Sequence, residues 1–242
     1  MNRRSLSIFC LLFSVWAASL SISGQIPGQL AQDFTAGSAP SPEEIAALEK
    51  EVSAKPDDLR LVRKLGKGYF FQFFDEGDKA AVPKAQKILE RALTIRKDDA
   101  EAMAYLGSLH ILRAQRLEKG DAAKEKASYD AGFALVREAE KLDPEHGAVL
   151  SVASASYLWL PDSYGMVPRV IEIVEGMRKA MGPMFKKFAH HGQQRLLLTL
   201  GQAYLRTNQP EKARVAFGEA LEVNEKSREA ALIRAEIKRM NK

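Results

Sequence analysis

The chain has 242 residues, of which 46% are hydrophobic and 28% are charged. These proportions are ordinary for a soluble globular protein of one or two domains. The formal net charge is +5, and the basic residues are interleaved with acidic ones, which is typical of a solvated surface. Such a small positive excess gives no support for nucleic-acid binding, so we expect no nucleic-acid partner.

The first 24 residues have the pattern of a signal peptide, so we expect export to a periplasm or to the extracellular space. Two arginines precede an apolar run of about 13 to 15 residues, which is shorter than the roughly 20 residues of a membrane span. Small residues then follow up to Gly24. An uncleaved membrane anchor is the alternative, and both general secretion and twin-arginine export remain open. The only cysteine, Cys10, lies in this run, so the rest of the chain has no cysteine for a disulfide or a metal site.

Residues 25–41 are rich in glycine, proline, serine and glutamine and lack a helical period, which predicts a flexible leader. A helix start follows, because Ser41 can cap a helix that begins with Pro42 and has two glutamates in its first turn. Its apolar residues share one helical face: Ile45, Leu48 and Val52. The helix ends before Pro56, and we expect it to cap the N-terminal end of the structure that follows.

From residue 57 the sequence repeats one pattern of paired helices. The first helices share two apolar residues, a small residue and a ring: Val62, Leu65, Gly66 and Tyr69; Met103, Leu106, Gly107 and His110; Leu150, Ala153, Ser154 and Tyr157; Leu197, Leu200, Gly201 and Tyr204. The second helices share a small, a large and a small residue: Ala85, Leu89 and Ala92; Gly132, Val136 and Ala139; Ala213, Phe217 and Ala220. Small residues let paired helices cross closely, and large ones fill the space between pairs. Since glycine inside a helix costs about 1 kcal/mol relative to alanine, its recurrence at one register point indicates a packing requirement.

This spacing divides the chain into units at about 57–99, 100–146, 147–193 and 194–227, followed by a polar-faced terminal helix at 228–240. In the second unit, an insertion at 115–130 is rich in charge and alanine, so we expect both helices to extend beyond the stack. In the third unit, the pattern is blurred over 167–181. Residues 162–165 interrupt the register, which we interpret as a turn, with a binding loop as the alternative. We expect residues 184–191 to extend the next helix backwards.

The pattern resembles that of tetratricopeptide repeats, and residues 194–227 are close to the family consensus over their full length. The resemblance implies an all-α fold over residues 42–242. This fold would be a right-handed α-solenoid of about four helix pairs with a capping helix at each end. It also implies a concave groove, lined by the first helices of successive units, that binds a protein or peptide.

The groove positions implied by the resemblance are Arg63, Lys67, Phe70, Phe71, Ser108, Ile111, Leu112, Leu158, Trp159, Gln202 and Leu205. The centre of this set is small and apolar, one edge is bulky, and the ends of the groove are basic. Such a groove suits an apolar segment with some acidic character. The alternative is that the chain itself buries these residues, since a large open apolar patch is unusual on a monomer.

Nothing in the sequence predicts a catalytic, metal or cofactor site. Nucleophile-elbow, phosphate-loop, paired-carboxylate and HExxH motifs do not occur. His190 and His191 are adjacent, so on a helix they point about 100° apart and are poorly placed to share one metal. His110 occupies a packing position, and we interpret the helically spaced Met177, Met181 and Met184 as core residues.

We therefore expect a non-enzymatic, exported scaffold or adaptor that binds a protein or peptide partner. The alternative is a periplasmic protein that binds a small ligand or assists solute transport. It rests on a loose similarity to the tetratricopeptide-like soluble components associated with some tripartite solute uptake systems. A closed apolar cavity near Phe70, Leu112 and Trp159 would favour this alternative. Neither the partner's identity nor the oligomeric state follows from the pattern.

Overall fold

The structure, a computed structural model, describes residues 40–187 and 190–241. Within these residues it contains ten α-helices and no β-strand. The helices are α1 (Pro42–Ala54), α2 (Leu59–Phe71), α3 (Ala81–Ile95), α4 (Ala100–Leu117), α5 (Ala122–Leu142), α6 (Gly147–Trp159), α7 (Val167–Met181), α8 (His190–Arg206), α9 (Pro210–Val223) and α10 (Arg228–Met240). The predicted signal peptide and nearly all of the predicted leader lie outside the described residues.

The helices pack in consecutive pairs, α2 with α3, α4 with α5, α6 with α7, and α8 with α9. The first helices also contact one another in the order α2, α4, α6, α8 and α10, whereas each second helix packs mainly on first helices. The first helices therefore form the inner layer of a curved stack, and the second helices form its outer layer. This arrangement confirms the predicted all-α solenoid of four helix pairs, with α1 and α10 at its ends.

Close helix crossings explain the recurring small residues. A Cβ atom added to Gly107 would lie 2.7 Å from the main-chain oxygen of Gly132, and one added to Gly66 would lie 2.8 Å from a methyl carbon of Leu89. A Cβ on Gly201 would overlap the ring of Phe217. Each of these glycines faces the partner helix of its own pair, so the small residues are required by the distance between paired helices.

The second unit has the extended helices that the insertion predicts. Helix α4 continues to Leu117 and α5 begins at Ala122, so most of the inserted segment is helical. The link before α8 differs from the prediction, because residues 182–187 form a 3₁₀ segment and α8 begins only at His190. Gly182, with a positive φ of 49°, and Pro183 end the preceding helix α7, and residues 182–189 contain no serine, threonine, aspartate or asparagine to cap an earlier start of α8.

Helix α2 ends differently from the other inner helices. After Phe71 the chain forms a π-helical segment, Gln72–Glu76, that ends at Gly77 with a φ of 76°. This wider turn extends the inner layer beyond α2 and carries Phe74 and Asp75. Such π-helical segments are frequent at functional sites.

Candidate functional site

The inner layer encloses a cavity of about 290 Å³ on the concave side of the stack. Helices α2, α4, α6, α8 and α10 all contribute to its walls, together with the π-helical segment. The volume is about twice that of the roughly 150 Å³ cavity that accommodates benzene in a protein core. The cavity can therefore hold one or two large side chains, or a small organic molecule.

One wall of the cavity is aromatic. The rings of Phe70 and Phe74 stack with centroids 5.9 Å apart, and Tyr105 meets Phe70 edge-on at 5.1 Å. Trp159 of α6 lies 5.3 Å from Phe74, which joins the first unit to the third. Phe74 and Trp159 are only half-buried, so their rings still offer apolar surface to an occupant.

A group of charged residues links the first unit to the last two inner helices. Asp75 forms an ion pair with Arg195 of α8, and it accepts a hydrogen bond of 2.5 Å from Arg228 of α10 through its main-chain oxygen. Arg195 also donates a hydrogen bond of 3.1 Å to Glu229 through Nε. Asp75 thus contacts partners 120 and 153 residues away, and these contacts bridge the groove on one side.

The charged and aromatic groups lie directly against each other. The Arg195 guanidinium lies 4.6 Å from the ring centroid of Phe74. Arg116 donates hydrogen bonds of 3.0 Å to the main-chain oxygens of both Phe73 and Phe74. Its guanidinium is 5.5 Å from each of those rings. An occupant of the cavity would therefore meet apolar and cationic groups within one side-chain length of each other.

The environment also shifts two pKa values at this site. Burial lowers the pKa of Arg116, and the nearby positive charge of Arg228 lowers it further. Burial alone would raise the pKa of Glu229, but hydrogen bonds from His191 and Arg195 outweigh it and lower the pKa to about 2. The Glu229 carboxylate is therefore charged at neutral pH, and it already interacts with His191 and Arg195.

Among the predicted groove residues, five line the cavity: Phe70, Phe71, Ser108, Trp159 and Gln202. Two others, Arg63 and Lys67, pair instead with Glu101 at 2.7 and 2.6 Å between α2 and α4. Their charges are thus largely neutralised within the stack and lie outside the cavity wall.

The remaining predicted groove residues belong to the core and do not line the cavity. Ile111 and Leu112 are completely buried, and Leu158 is nearly so. Ile111 faces α5, where Gly132 leaves room for its side chain. Leu205 is half-buried and packs on the core of the last two units. In this part of the stack the chain buries its own apolar residues, as the alternative interpretation of the groove expects.

Several cavity residues were not among the sequence-predicted groove residues: Phe74, Asp75, Tyr105, Arg116, Arg195, Arg228, Glu229 and Leu232. Arg195 does occupy a groove position of the repeat and marks a basic end of the predicted groove. The others lie off those positions, in α4, in the π-helical segment or on the terminal helix. The cluster of four phenylalanines followed by an aspartate at 70–75 is the one local signal that could have indicated the aromatic wall.

Within residues 40–187 and 190–241, no three potential metal-ligating side chains come together. None of the helices described there is long and apolar enough to cross a membrane. His110 is half-buried, and burial lowers its pKa, which agrees with its interpretation as a packed residue. Met177 and Met181 are buried in the core, whereas Met184 is half-buried.

Comparisons with known proteins bear on the fold. Residues 194–227 match the family model "Tetratricopeptide repeat", which confirms the resemblance in that segment. Two solved structures of MamA are similar to this chain. One is 23% identical, covers 75% of this chain and 87% of its own, and has a TM-score of 0.45. The other is 24% identical, covers 75% of this chain and 81% of its own, and has a TM-score of 0.43. Structural similarity with TM-scores this low supports no conclusion about the role of this chain. Comparison with curated proteins gives no significant match.

Proposed function

We propose that this chain, which carries a tetratricopeptide repeat at 194–227 within a stack of helix pairs, is an exported scaffold protein that binds a segment of a partner protein in its concave cavity. The observation that carries the proposal is the cavity itself, to which every inner helix contributes and which has a half-buried aromatic wall. Stacked helical repeats commonly use this concave surface for binding. We do not propose an enzymatic activity.

The size of the cavity limits how a partner can bind. A helix is about 10–12 Å across with its side chains, so a cavity of about 290 Å³ is too small to hold one. It is large enough for one or two anchoring side chains of an extended segment or a loop. Aromatic and other bulky residues that fill such pockets provide a large part of the binding energy in many interfaces.

A matched pair of variants tests where a partner binds. Leu232→Glu places a charge at the cavity wall, on a residue that is 51% exposed and therefore tolerates the change. Val215→Glu makes the same change at a 61% exposed residue of the outer helix α9. Peptides selected from a display library on the unmodified protein should bind the Leu232 variant at least about tenfold more weakly, since the variant loses apolar surface worth about 1.5–3 kcal/mol when a ligand buries it, and the new carboxylate can pair with Arg228 four residues earlier on α10. They should bind the Val215 variant unchanged.

Tryptophan fluorescence gives a second measurement of the same site. The sequence has two tryptophans, so after Trp16→Phe the cavity residue Trp159 is the only one, whether or not residues 1–24 are removed. A peptide that fills the cavity should shift the emission of Trp159 with the same midpoint as its binding curve. Equal binding to both glutamate variants, with no change in emission, would refute the proposed site.

A second candidate function is the binding of a small ligand, and one observation favours it. The contacts of Asp75 with Arg195 and Arg228 bridge the groove, so the cavity is more enclosed than an open peptide-binding surface. Phe70 and Trp159 line it as that alternative expects, although Leu112 lies in the core. If a panel of small organic acids leaves the melting temperature unchanged at millimolar concentration, this candidate is wrong.

The export part of the proposal rests on the sequence pattern of residues 1–24. Cell fractionation followed by mass determination tests it directly. Export predicts a periplasmic or secreted form shortened by about 18 to 24 residues, in keeping with the cleavage region of the signal-peptide pattern. A full-length form that stays in the cytoplasm would contradict it.

A further inference from the structure

We infer that the cavity selects a ligand in which a carboxylate is attached to a compact apolar group. The apolar group would lie against Phe70, Phe74 and Trp159. The carboxylate would face Arg116 and Arg228, which line the cavity where it opens to solvent; this opening is called the mouth below. This inference rests on the proposed function, because it names the chemistry of the occupant of the same cavity.

The first argument is the charge balance around the cavity, which three arginines and two carboxylates line. Arg195 is paired with both carboxylates, Asp75 and Glu229. Arg228 is held to the Asp75 carboxylate only at 3.6 Å. Within the described residues no carboxylate lies within ion-pair distance of Arg116, whose recorded hydrogen bonds go to two main-chain oxygens. One positive charge at the mouth is therefore uncompensated.

The second argument is that the two mouth arginines disfavour each other. The positive charge of Arg228 contributes to the lowered pKa of Arg116, after the effect of burial, and the Asp75 carboxylate offsets it only in part. A carboxylate placed between the two guanidinium groups would relieve this repulsion and accept hydrogen bonds from both. Arg228 is 62% exposed, and Arg116 is exposed as a whole residue although the protein partly desolvates its guanidinium, so both can be reached by a ligand that enters from solvent.

The third argument is the short distance between the cationic and the aromatic groups. The Arg116 guanidinium is 5.5 Å from the ring of Phe74, and Phe74 is 5.3 Å from Trp159. A ligand that contacts both must therefore hold its carboxylate close to its apolar body. An aryl propionate does so through a short linker, and in an extended peptide a phenylalanine and a glutamate two residues apart lie on the same side of the backbone.

The same geometry disfavours a cationic ligand, which an aromatic wall could otherwise bind through its ring faces. Two of these rings already have cations against them, since Lys67 lies 5.3 Å from Tyr105 and Arg195 lies 4.6 Å from Phe74. An additional ammonium group would find these ring faces already occupied and would also meet the mouth arginines. Electrostatic complementarity therefore favours an anion.

Calorimetric titration of the full-length chain with matched probes tests the inference. One pair is 3-phenylpropionate and 3-phenylpropionamide, which differ only in charge. The other pair consists of end-blocked tetrapeptides, Phe-Ala-Glu-Ala and Phe-Ala-Gln-Ala, in which the two side chains share one side of an extended backbone. We expect the acidic member of at least one pair to bind about tenfold or more tightly than its neutral analogue, as a charge-assisted hydrogen bond implies. The pair that shows the difference also distinguishes a free organic acid from a peptide segment as its source.

Arginine variants locate the effect. In Arg116→Gln and Arg228→Gln the preference for the acid, measured as the ratio of the acid and neutral-probe affinities within the same variant, should fall to about threefold or less. Arg234→Gln is the matched control, since Arg234 is exposed on α10, carries the same charge and does not line the cavity. It should keep the full preference. Circular dichroism of all three variants checks that the fold is intact.

Three results would overturn the inference. One is equal binding of acid and amide in both pairs, and another is equal behaviour of all three glutamine variants. The third is binding of display-selected peptides in the cavity while none of the four probes binds. In this last case the proposed function stands and only the carboxylate chemistry is wrong. If the display library also yields no peptide that binds in the cavity, the proposed function fails as well.

Discussion

Replacing Asp75 by asparagine should weaken the contact between the first unit and the end of the stack. The variant keeps the size of the side chain but removes the charge that pairs with Arg195 and, at 3.6 Å, with Arg228. The hydrogen bond from Arg228 to the main-chain oxygen of residue 75 does not depend on the side chain, so the change acts on the ion pairs.

The burial of the Asp75–Arg195 ion pair determines how much stability the Asp75→Asn variant should lose. The Asp75 and Arg195 side chains are 14% and 24% exposed, so the pair lies between exposed pairs and fully buried ones. Exposed pairs contribute about 0.2–1 kcal/mol, and breaking a buried pair costs about 3–5 kcal/mol. Arg195 keeps Glu229 as a partner, so we expect a loss of about 1–2 kcal/mol. For a chain of this size that corresponds to a decrease in melting temperature of about 3–6 °C.

Thermal unfolding followed by circular dichroism measures this loss, and hydrogen exchange shows where it acts. Amides in residues 72–76 and in the first turns of α10 should exchange faster, while those of α5 should not change. Asp162→Asn is the control, because Asp162 also pairs with an arginine, Arg206, but is 88% exposed. It should change the stability by less than about 0.5 kcal/mol. If both variants melt at the temperature of the unmodified protein, the contact does not stabilise the stack and our reasoning is wrong.

The other predictions concern acid stability and helix crossings. The pKa of Glu229 is lowered to about 2 from its ordinary 4.5, so its ionised form adds stability above pH 4.5 that is lost as the pH falls towards 2. Glu229→Gln should therefore lower the stability at pH 7 and reduce its decrease between pH 4.5 and 2 in acid titrations. Gly107→Ala should destabilise the fold by about 1–3 kcal/mol in urea unfolding, because the new Cβ would lie 2.7 Å from the Gly132 oxygen. Gly218→Ala, with open space around it, should instead stabilise by about 1 kcal/mol, and the opposite order would contradict the crossing geometry.

The sequence predicts the helix pairs well because their determinants are local. The 3.6-residue period places Val62, Leu65 and Tyr69 on one face, and the small residues mark where the paired helices cross. The extended helices of the second unit follow from the composition of their insertion. The predicted start of α8 was wrong by several residues because residues 182–187 form a 3₁₀ segment and the sequence has no capping residue there to mark where the α-helix begins.

Only some of the residues that line the cavity can be predicted from the sequence, because the others depend on contacts between distant units. Repeat register identifies Phe70, Phe71 and Trp159, because their positions depend on their own unit. The proximity of Asp75 to Arg228 depends instead on the curvature summed over all four units, which no single repeat encodes. For Ile111 the repeat register leads to a wrong position. It predicts that Ile111 lines the groove, but the space left by Gly132 on the partner helix lets the Ile111 side chain pack in the core.

The contact between the first unit and the terminal helix has a consequence for how the molecule opens. In an ordinary repeat array each unit touches only its neighbours, so the two ends fray independently. Here the end of the first unit, at Asp75, is held by α10 across 153 residues of sequence. Loosening one end therefore loosens the other, and the array should open from both ends as one cooperative unit. Any ligand that holds the cavity walls together would then protect both ends of the chain at once.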